Sequence, residues 1–67
     1  MAIVKVIELV ADSNKSWEDA TQVAVNEASK TVKNIKSVFV KNFQTIIEDN
    51  KIAKYRVNVK VSFVVEE

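Results

Sequence analysis

The sequence predicts an α+β domain in which a three-stranded antiparallel sheet packs on one helix, and three observations predict it. Residues 54–63 alternate polar and apolar side chains without a break, the pattern of a strand with one buried and one open face. Small and apolar side chains recur at threes and fours after Ser16, as in an amphipathic helix. The elements follow in the order strand, helix, strand, strand. Placing the third strand between the other two makes both pairings antiparallel, so we expect the sheet order 1-3-2.

The first strand is predicted over residues 3–10, which are rich in Ile and Val and too few for a stable helix. Both of its faces are mainly apolar: Ile3, Ile7 and Leu9 share one with Lys5, and Val4, Val6 and Val10 share the other with Glu8. A chain of 67 residues has little material to cover both faces. We therefore expect one face to contact another subunit.

The helix is predicted to begin at Ser16, after a polar break at residues 11–15. The Ser16 side chain can cap the first turn, and Asp19 stands where a capping-box acid would reach back to the Ser16 N–H. The helical pattern continues to residue 33. Asn34 then supplies a side chain that tolerates the left-handed backbone of a helix stop, in a chain without Gly.

The second strand is predicted over residues 36–47, with its Val side chains on one face and Phe39 and Phe43 together on the other. Regular alternation stops after Phe43, which predicts a bulge within residues 42–45. Residues 48–51, Glu-Asp-Asn-Lys, are the polar cluster that joins this strand to the last one as a hairpin. Asn and Asp tolerate the positive φ that such a turn needs.

Composition excludes several classes of chemistry. The chain has no Cys and no His, so it cannot form a thiolate nucleophile, a Ser-His-Asp triad, or a thiolate or imidazole zinc site. Any metal ion would need oxygen ligands. We therefore predict that the protein is not an enzyme, and that residues 1–67 form one small domain that gains stability from oligomerisation.

Charge and hydropathy limit the partners of the chain. A net charge of +1 with 28% charged residues provides no concentrated basic face for nucleic acid. The longest mostly apolar run, residues 2–11, is interrupted by Lys5 and Glu8 and is too short to span a bilayer. It also lacks the basic start and the cleavage site of a signal peptide. We expect a soluble, cytoplasmic protein with no nucleic-acid or membrane partner.

Five strings along the chain carry a resemblance to the dodecin family. They are Lys5-Val6-Ile7-Glu8-Leu9-Val10, Ser16-Trp17-Glu18-Asp19-Ala20, Asn34-Ile35, Tyr55-Arg56-Val57 and Val59-Lys60-Val61-Ser62-Phe63. Their order, spacing and total length match the family over nearly the whole chain. The resemblance implies a β-α-β-β subunit, twelve copies of which close into a hollow shell, a homododecamer.

The resemblance also implies a function. Flavin-binding members of the family hold flavins between subunits for storage or sequestration, and not as redox catalysts. In those members a Trp at the start of the second strand stacks on the flavin ring, and Ser37 occupies that position here. A Gln after the Tyr of the third strand hydrogen-bonds the ring, and Arg56 occupies that position. The implied site residues are thus Ser37 and Arg56, and the implied ligands are FMN, riboflavin or coenzyme A.

Two groups of side chains have alternative interpretations. Trp17 stands in step with Ala20 at helical spacing, so we interpret it as a packing residue and not as a ligand-stacking group. Arg56, with Lys54 and Lys60, belongs either to a face that is solvated or forms salt bridges between subunits, or to an anchor for a phosphate or carboxylate.

A second function, of a different class, is a structural oligomeric shell that has no flavin site and either binds no ligand or binds only metal ions, with calcium as the candidate. Asp12, Asn14, Glu48 and Asp49 offer oxygen ligands, but Asp12-Ser13-Asn14 matches only the start of a hand-type calcium loop. We interpret these four side chains as turn residues.

Overall fold

Three strands and one helix make up residues 2–66, the part of the chain that the computed structural model describes. They are β1 (Ala2–Ser13), α1 (Trp17–Ala28), β2 (Ile35–Glu48) and β3 (Lys51–Glu66). The strands form one antiparallel sheet in the order β1-β3-β2. The predicted α+β class, element order and strand order are confirmed. The single-domain interpretation of residues 1–67 stays a prediction, and Met1 and Glu67 lie outside the described residues.

The central strand β3 has the alternation that the sequence predicted. Val57, Val59 and Val61 are fully buried against the helix, and Phe63 is nearly so. The intervening residues, from Arg56 to Ser62, point away from the helix. Removing one such valine side chain from water stabilises the fold by about 1.5–3 kcal/mol, so this row is the main apolar contribution of the sheet.

The helix covers this row with small side chains. Ala20, Ala24 and Ala28 are buried at three successive turns and contact the valines of β3. Because alanine has no side chain beyond Cβ, the helix backbone approaches the sheet closely. Partly buried apolar residues surround this core: Ile7, Leu9, Ala11, Val32, Ile35 and Val38.

The helix begins as predicted, but the turn before it differs from the prediction. The Ser16 hydroxyl accepts a hydrogen bond from the Asp19 N–H at 2.9 Å. The Asp19 carboxylate, however, accepts from the Ser13 hydroxyl at 2.6 Å and does not reach back to the Ser16 N–H. Ser13 Oγ also accepts from the Lys15 N–H at 2.9 Å. Residues 11–13 pair with β3 and belong to β1, so the predicted break at residues 11–15 was placed too early.

The helix ends at Ala28, five residues before the predicted end at residue 33. The N–H of Lys30 bonds to the Glu27 carbonyl and that of Thr31 to the Ala28 carbonyl, so the chain tightens into turns three residues long. The Thr31 hydroxyl also donates to the Ala28 carbonyl at 3.3 Å, and such local side-chain bonds compete with helix continuation. Asn34 has the predicted positive φ, 62°, but it precedes β2 and does not cap the helix.

A bulge in β2 corrects the predicted faces of that strand. The register with β3 shifts between Val40 and Asn42, just before the predicted window of residues 42–45. Lys41 is therefore the extra residue, and it turns Phe43 onto the helix side opposite Val57. Phe39, opposite Lys60, stays on the other side. The two Phe side chains do not share a face, contrary to the prediction.

The hairpin between β2 and β3 turns where the sequence predicted. Glu48 pairs with Lys51, and Asp49 and Asn50 between them have φ of 51° and 62°. Two consecutive positive φ values define a turn whose twist matches that of the strands. Because β1 ends opposite Tyr55, the hairpin beyond that residue is a two-stranded ribbon.

The side of the sheet that faces away from α1, called the open face below, has no cover within residues 2–66. Four large apolar side chains are more than half exposed there, namely Val4 (63%), Val6 (54%), Val10 (61%) and Phe39 (64%). The described part of the subunit measures 51 × 19 × 13 Å, whereas a 12-residue helix is only about 18 Å long. Among residues 2–66, no helix has the length and apolar character needed to cross a membrane.

Candidate ligand-binding surface

The most specific polar contact on the open face joins β1 to β3. Arg56 Nε donates to Asp12 Oδ1 at 2.7 Å, and Arg56 Nη2 donates to Asp12 Oδ2 at 3.1 Å. The two residues are direct partners in the strand register, so the backbone pairing itself brings them together. The result is a two-pronged ion pair that orients the guanidinium plane.

The electrostatics of the pair favour the charged forms of both residues. The hydrogen bond from Arg56 lowers the pKa of the Asp12 carboxyl below its ordinary value, and the charges of Arg56 and Lys54 act in the same direction against desolvation. The hydrogen bond to Asp12 likewise raises the pKa of the Arg56 guanidinium. The side chains of Arg56 and Asp12 remain 36% and 31% exposed, so a ligand can reach them.

The pair also corrects two interpretations of the sequence. Asp12 is a strand residue opposite Arg56 and not a turn residue. Arg56 forms an ion pair with Asp12 of its own chain, so its charge is neither simply solvated nor paired only with another subunit. A signal for this pairing was present, because Asp12 continues the period of two set by Glu8 and Val10 on the same face of β1.

The other predicted site residue, Ser37, lies near the far end of the same face. It is exposed and stands opposite Ser62, which lies six residues beyond Arg56 along β3. At the rise of an antiparallel strand this separation is about 20 Å. One subunit therefore does not bring Ser37 and Arg56 together. A site that contains both must take them from two copies of the chain.

Between these two ends, the middle of the open face has a polar group without a partner. Asn58 Oδ1 is buried and accepts no hydrogen bond within residues 2–66. Its neighbours across the strands are Val10 and Asn42. A buried acceptor left unpaired costs about 1–3 kcal/mol. The open face is thus incomplete in both its apolar and its polar contacts.

Trp17 packs within the subunit, as the sequence predicted. Its ring centroid lies 5.2 Å from that of Phe43 and 5.2 Å from that of Tyr55, the latter in an edge-to-face arrangement. The indole N–H donates to the Gln44 carbonyl at 3.1 Å. Through these contacts with Phe43 and Gln44 of β2 and Tyr55 of β3, Trp17 joins the helix to the sheet.

The four oxygen-bearing residues considered for calcium are not brought together in one subunit. Asp12 is paired with Arg56, whereas Glu48 and Asp49 lie in the hairpin turn. Lys51, the partner of Glu48, is five residues from Arg56, or about 17 Å along β3. No group of three or more acidic side chains within residues 2–66 is placed to hold a metal ion.

A strand-helix-strand-strand subunit whose sheet leaves one apolar face uncovered is typical of a protein that associates with other subunits. The Dodecin family model matches residues 3–66, so the chain belongs to the dodecin family. Proteins of this family bind small molecules and associate with copies of themselves, and both properties extend to this chain.

Solved structures agree with the family match. The tt0972 protein from Thermus thermophilus is 31% identical, with a TM-score of 0.93, over 100% of this chain and 98% of that one. Dodecin from Streptomyces coelicolor is 30% identical, with a TM-score of 0.92, over 98% and 94%. The calcium-chelating antigen of Mycobacterium tuberculosis, described as a calcium dodecin with a novel calcium-binding site, is 30% identical, with a TM-score of 0.83, over 96% and 91%. None of the curated proteins compared matches the chain.

Proposed function

We propose that the chain forms a homododecameric shell that binds and stores a flavin or coenzyme A between its subunits, without catalysing a reaction. The observation that carries this proposal is the position of Ser37 and Arg56 at opposite ends of one open face, about 20 Å apart. Two copies of the chain are needed to bring these residues to one ligand. The mixed surface charge supports the absence of a nucleic-acid partner, and the sequence pattern of residues 2–11 supports a cytoplasmic location without a membrane partner.

The chemistry of the two residues bears on the ligand. Serine at position 37 has no aromatic ring, and ring stacking contributes about 0.5–1.5 kcal/mol beyond burial. Arg56 offers a planar group that stacks on a ring and donors that suit a ring carbonyl or a phosphate. FMN, riboflavin and coenzyme A each carry a planar ring system, and two of them carry phosphate. We expect flavins to bind more weakly here than in a shell that has the stacking Trp.

A structural shell that binds calcium is the second candidate, and Ser37 in place of the ring-stacking Trp favours it. The calcium-chelating relative from Mycobacterium tuberculosis supports it as well. In this chain the acidic ligands would have to come from several subunits, because Asp12 is held by Arg56 and lies far from Glu48.

Native mass spectrometry of the purified protein, followed by titration with FMN, riboflavin, coenzyme A and Ca²⁺, distinguishes the candidates. We expect a dodecamer that quenches flavin fluorescence or retains coenzyme A in stoichiometric amounts. We expect Ser37→Trp to raise flavin affinity about tenfold, the upper end of the stacking contribution. Lys33→Trp, at an exposed position before β2, is the matched control and should leave affinity unchanged.

Three outcomes would contradict the storage proposal. A dodecamer that takes up only Ca²⁺ supports the structural shell. A dodecamer that binds none of the four probes, even with Ser37→Trp, also excludes ligand storage. A monomer at micromolar concentration contradicts both candidates.

A further inference from the structure

The guanidinium of Arg56 is used on one edge only. Its Nε and Nη2 atoms donate to the two oxygens of Asp12, which occupies the side edge of the group. A guanidinium has five N–H donors, so three remain, two on Nη1 and one on Nη2. Within residues 2–66 these donors have no hydrogen-bond acceptor. The remaining Nη2 donor and one of the two on Nη1 form the end edge, a flat pair of parallel donors that does not face the carboxylate, and the other Nη1 donor points toward the Cδ side of the group.

We propose that Asp12 is a positioning residue for ligand recognition: it holds Arg56 so that the end edge is presented to a ligand with two adjacent hydrogen-bond acceptors. This inference rests on the proposed ligand-binding function and assigns the hydrogen-bonding pattern that the site reads. Arginine retains substantial rotamer freedom, and a two-pronged bond to a residue of the neighbouring strand removes much of it before the ligand arrives.

The hydrogen-bonding pattern of the Arg56 end edge differs from that of a glutamine amide at position 56. An amide offers one donor and one acceptor, whereas the end edge of a guanidinium offers two donors and no acceptor. Oxidised isoalloxazine presents paired acceptors at N5 and O4 and again at N1 and O2. A phosphate also presents paired oxygens. The shared chemistry is a pair of adjacent acceptors, and the two sources are separated by comparing ligands with and without a phosphate.

Charge argues for the ring edge over the phosphate. Asp12 and Arg56 cancel each other, so the end edge donates hydrogen bonds without a net positive charge. The other ionic groups of the open face include a Glu8–Lys41 pair at 3.5 Å, the exposed side chain of Lys54, and Lys60, which stands opposite Glu8. Lys54 adds one positive charge two residues from Arg56, whereas Lys60 lies about 13 Å along β3, beyond the screening length of about 8 Å at physiological salt. A neutral ring acceptor therefore satisfies the end edge without burying an additional charge.

The test uses the intact assembly and four forms of the protein: wild type, Asp12→Asn, Arg56→Gln and the double variant. Affinities for riboflavin, FMN and 5-deazariboflavin are measured by fluorescence. The last ligand replaces N5 by a C–H group and so removes one acceptor of the N5 and O4 pair. Native mass spectrometry confirms the subunit number of each form.

We expect Asp12→Asn to weaken riboflavin binding about five- to tenfold, the effect of losing the net contribution of about one hydrogen bond. FMN should lose less, because an unscreened Arg56 attracts its phosphate, and this advantage should disappear at high salt. In the Arg56→Gln background Asp12→Asn should change affinity less than twofold. Asp12→Glu, which keeps the carboxylate, should restore part of the riboflavin affinity. Tighter binding of riboflavin than of 5-deazariboflavin by wild type supports the proposal and identifies N5 and O4 as the acceptors, whereas equal affinity for the two supports it with N1 and O2 as the acceptors.

The proposal is overturned if Asp12→Asn changes riboflavin and FMN affinity equally, and by the same factor with and without Arg56. That result would mean that Asp12 acts on the fold alone. It is also overturned if Asp12→Asn and Arg56→Gln alter subunit dissociation and leave ligand affinity unchanged, because the end edge would then bind a carboxylate of another copy. Both results leave the storage function standing, whereas a wild-type shell that binds no flavin and no coenzyme A contradicts the storage function and this inference together.

Discussion

The indole N–H of Trp17 donates to the backbone carbonyl of Gln44, a residue 27 positions later in the chain, across 3.1 Å. The bond joins the first turn of α1 to the edge strand β2. Phe43 and Tyr55 each pack against the indole ring with a centroid distance of 5.2 Å. Since the helix packs mainly on β1 and β3, Trp17 provides the specific polar link between the helix and β2.

Replacing Trp17 should therefore separate its hydrogen bond from its packing. Trp17→Phe removes the donor and should lower the free energy of unfolding by about 0.5–1.5 kcal/mol. Trp17→Ala also removes the ring and should cost about 2–3 kcal/mol, less than for a fully buried Trp because 38% of the residue is exposed. Urea unfolding followed by circular dichroism measures both. Val23→Ala, at an exposed position on the same helix, should have little effect, and an equal loss in all three variants would contradict the assignment.

The Asp12–Arg56 pair should make stability depend on acid. The pKa of Asp12 is lowered in the folded protein, so the unfolded chain binds the proton more readily, and the stabilisation is present above the ordinary carboxyl pKa. It is lost as the pH falls below about 4 and through the lowered value. Wild type should exceed Asp12→Asn in urea midpoint at pH 7, and the two midpoints should converge in acid.

The matched control for this titration is Glu27→Gln. Glu27 forms an ion pair with Lys30 at 2.9 Å, but both side chains are about 70% exposed. Exposed pairs contribute little, so this variant should track wild type at every pH. If the difference between wild type and Asp12→Asn stays constant from pH 7 to pH 3, the ion pair does not stabilise the fold.

Enlarging the central alanine of the helix should force the helix and the sheet apart. Ala24 is 1% exposed and lies against the buried valines of β3. Ala24→Leu adds three carbons to a filled space and should cost about 1–3 kcal/mol. Val23→Leu adds one carbon at a position that is 41% exposed and should be nearly neutral. Thermal unfolding measures both, and equal melting temperatures would mean that the helix does not pack closely on β3.

The hairpin turn should respond to changes in backbone freedom. Asn50 has φ of 62°, a region that costs a residue with a branched Cβ about 1–2 kcal/mol. Asn50→Val should lower stability by that amount, and Asn50→Gly should raise it, because an Asp-Gly pair suits two consecutive positive φ values. Lys51→Val, at the first residue of β3, is the control. A Gly variant less stable than wild type would argue against this turn geometry.

The sequence was sufficient to predict those parts of the fold that depend on local patterns. The alternation along residues 54–63 identified the central strand, and Ser16 identified the start of the helix. The end of the helix could not be predicted from periodicity, because residues 29–33 fit both the helix and the turn that Thr31 and Ser29 stabilise. The bulge at Lys41 depends on pairing with β3, which no local pattern encodes.

For the candidate site, the sequence identified residues but not their contacts. Ser37 and Arg56 were selected by resemblance, and the register then placed them far apart in one subunit. The partnership of Asp12 with Arg56 spans 44 residues of sequence. The period of two along β1 placed Asp12 on the face of Glu8 and Val10, but the contact with Arg56 also depends on the length and register of β1, which extends to Ser13 and not to residue 10.

In the proposed shell, where other copies cover the exposed valines of β1 and Phe39, we expect the free energy of unfolding to depend on protein concentration. Association removes these side chains from water only in the assembled state, so each increase in concentration shifts the balance toward folded chains by mass action. Dilution then favours dissociated and unfolded chains, and the melting temperature falls as the protein concentration falls. The chain has no cysteine and so no disulfide, and we expect concentration-dependent assembly to supply the stabilisation that disulfides give other small domains.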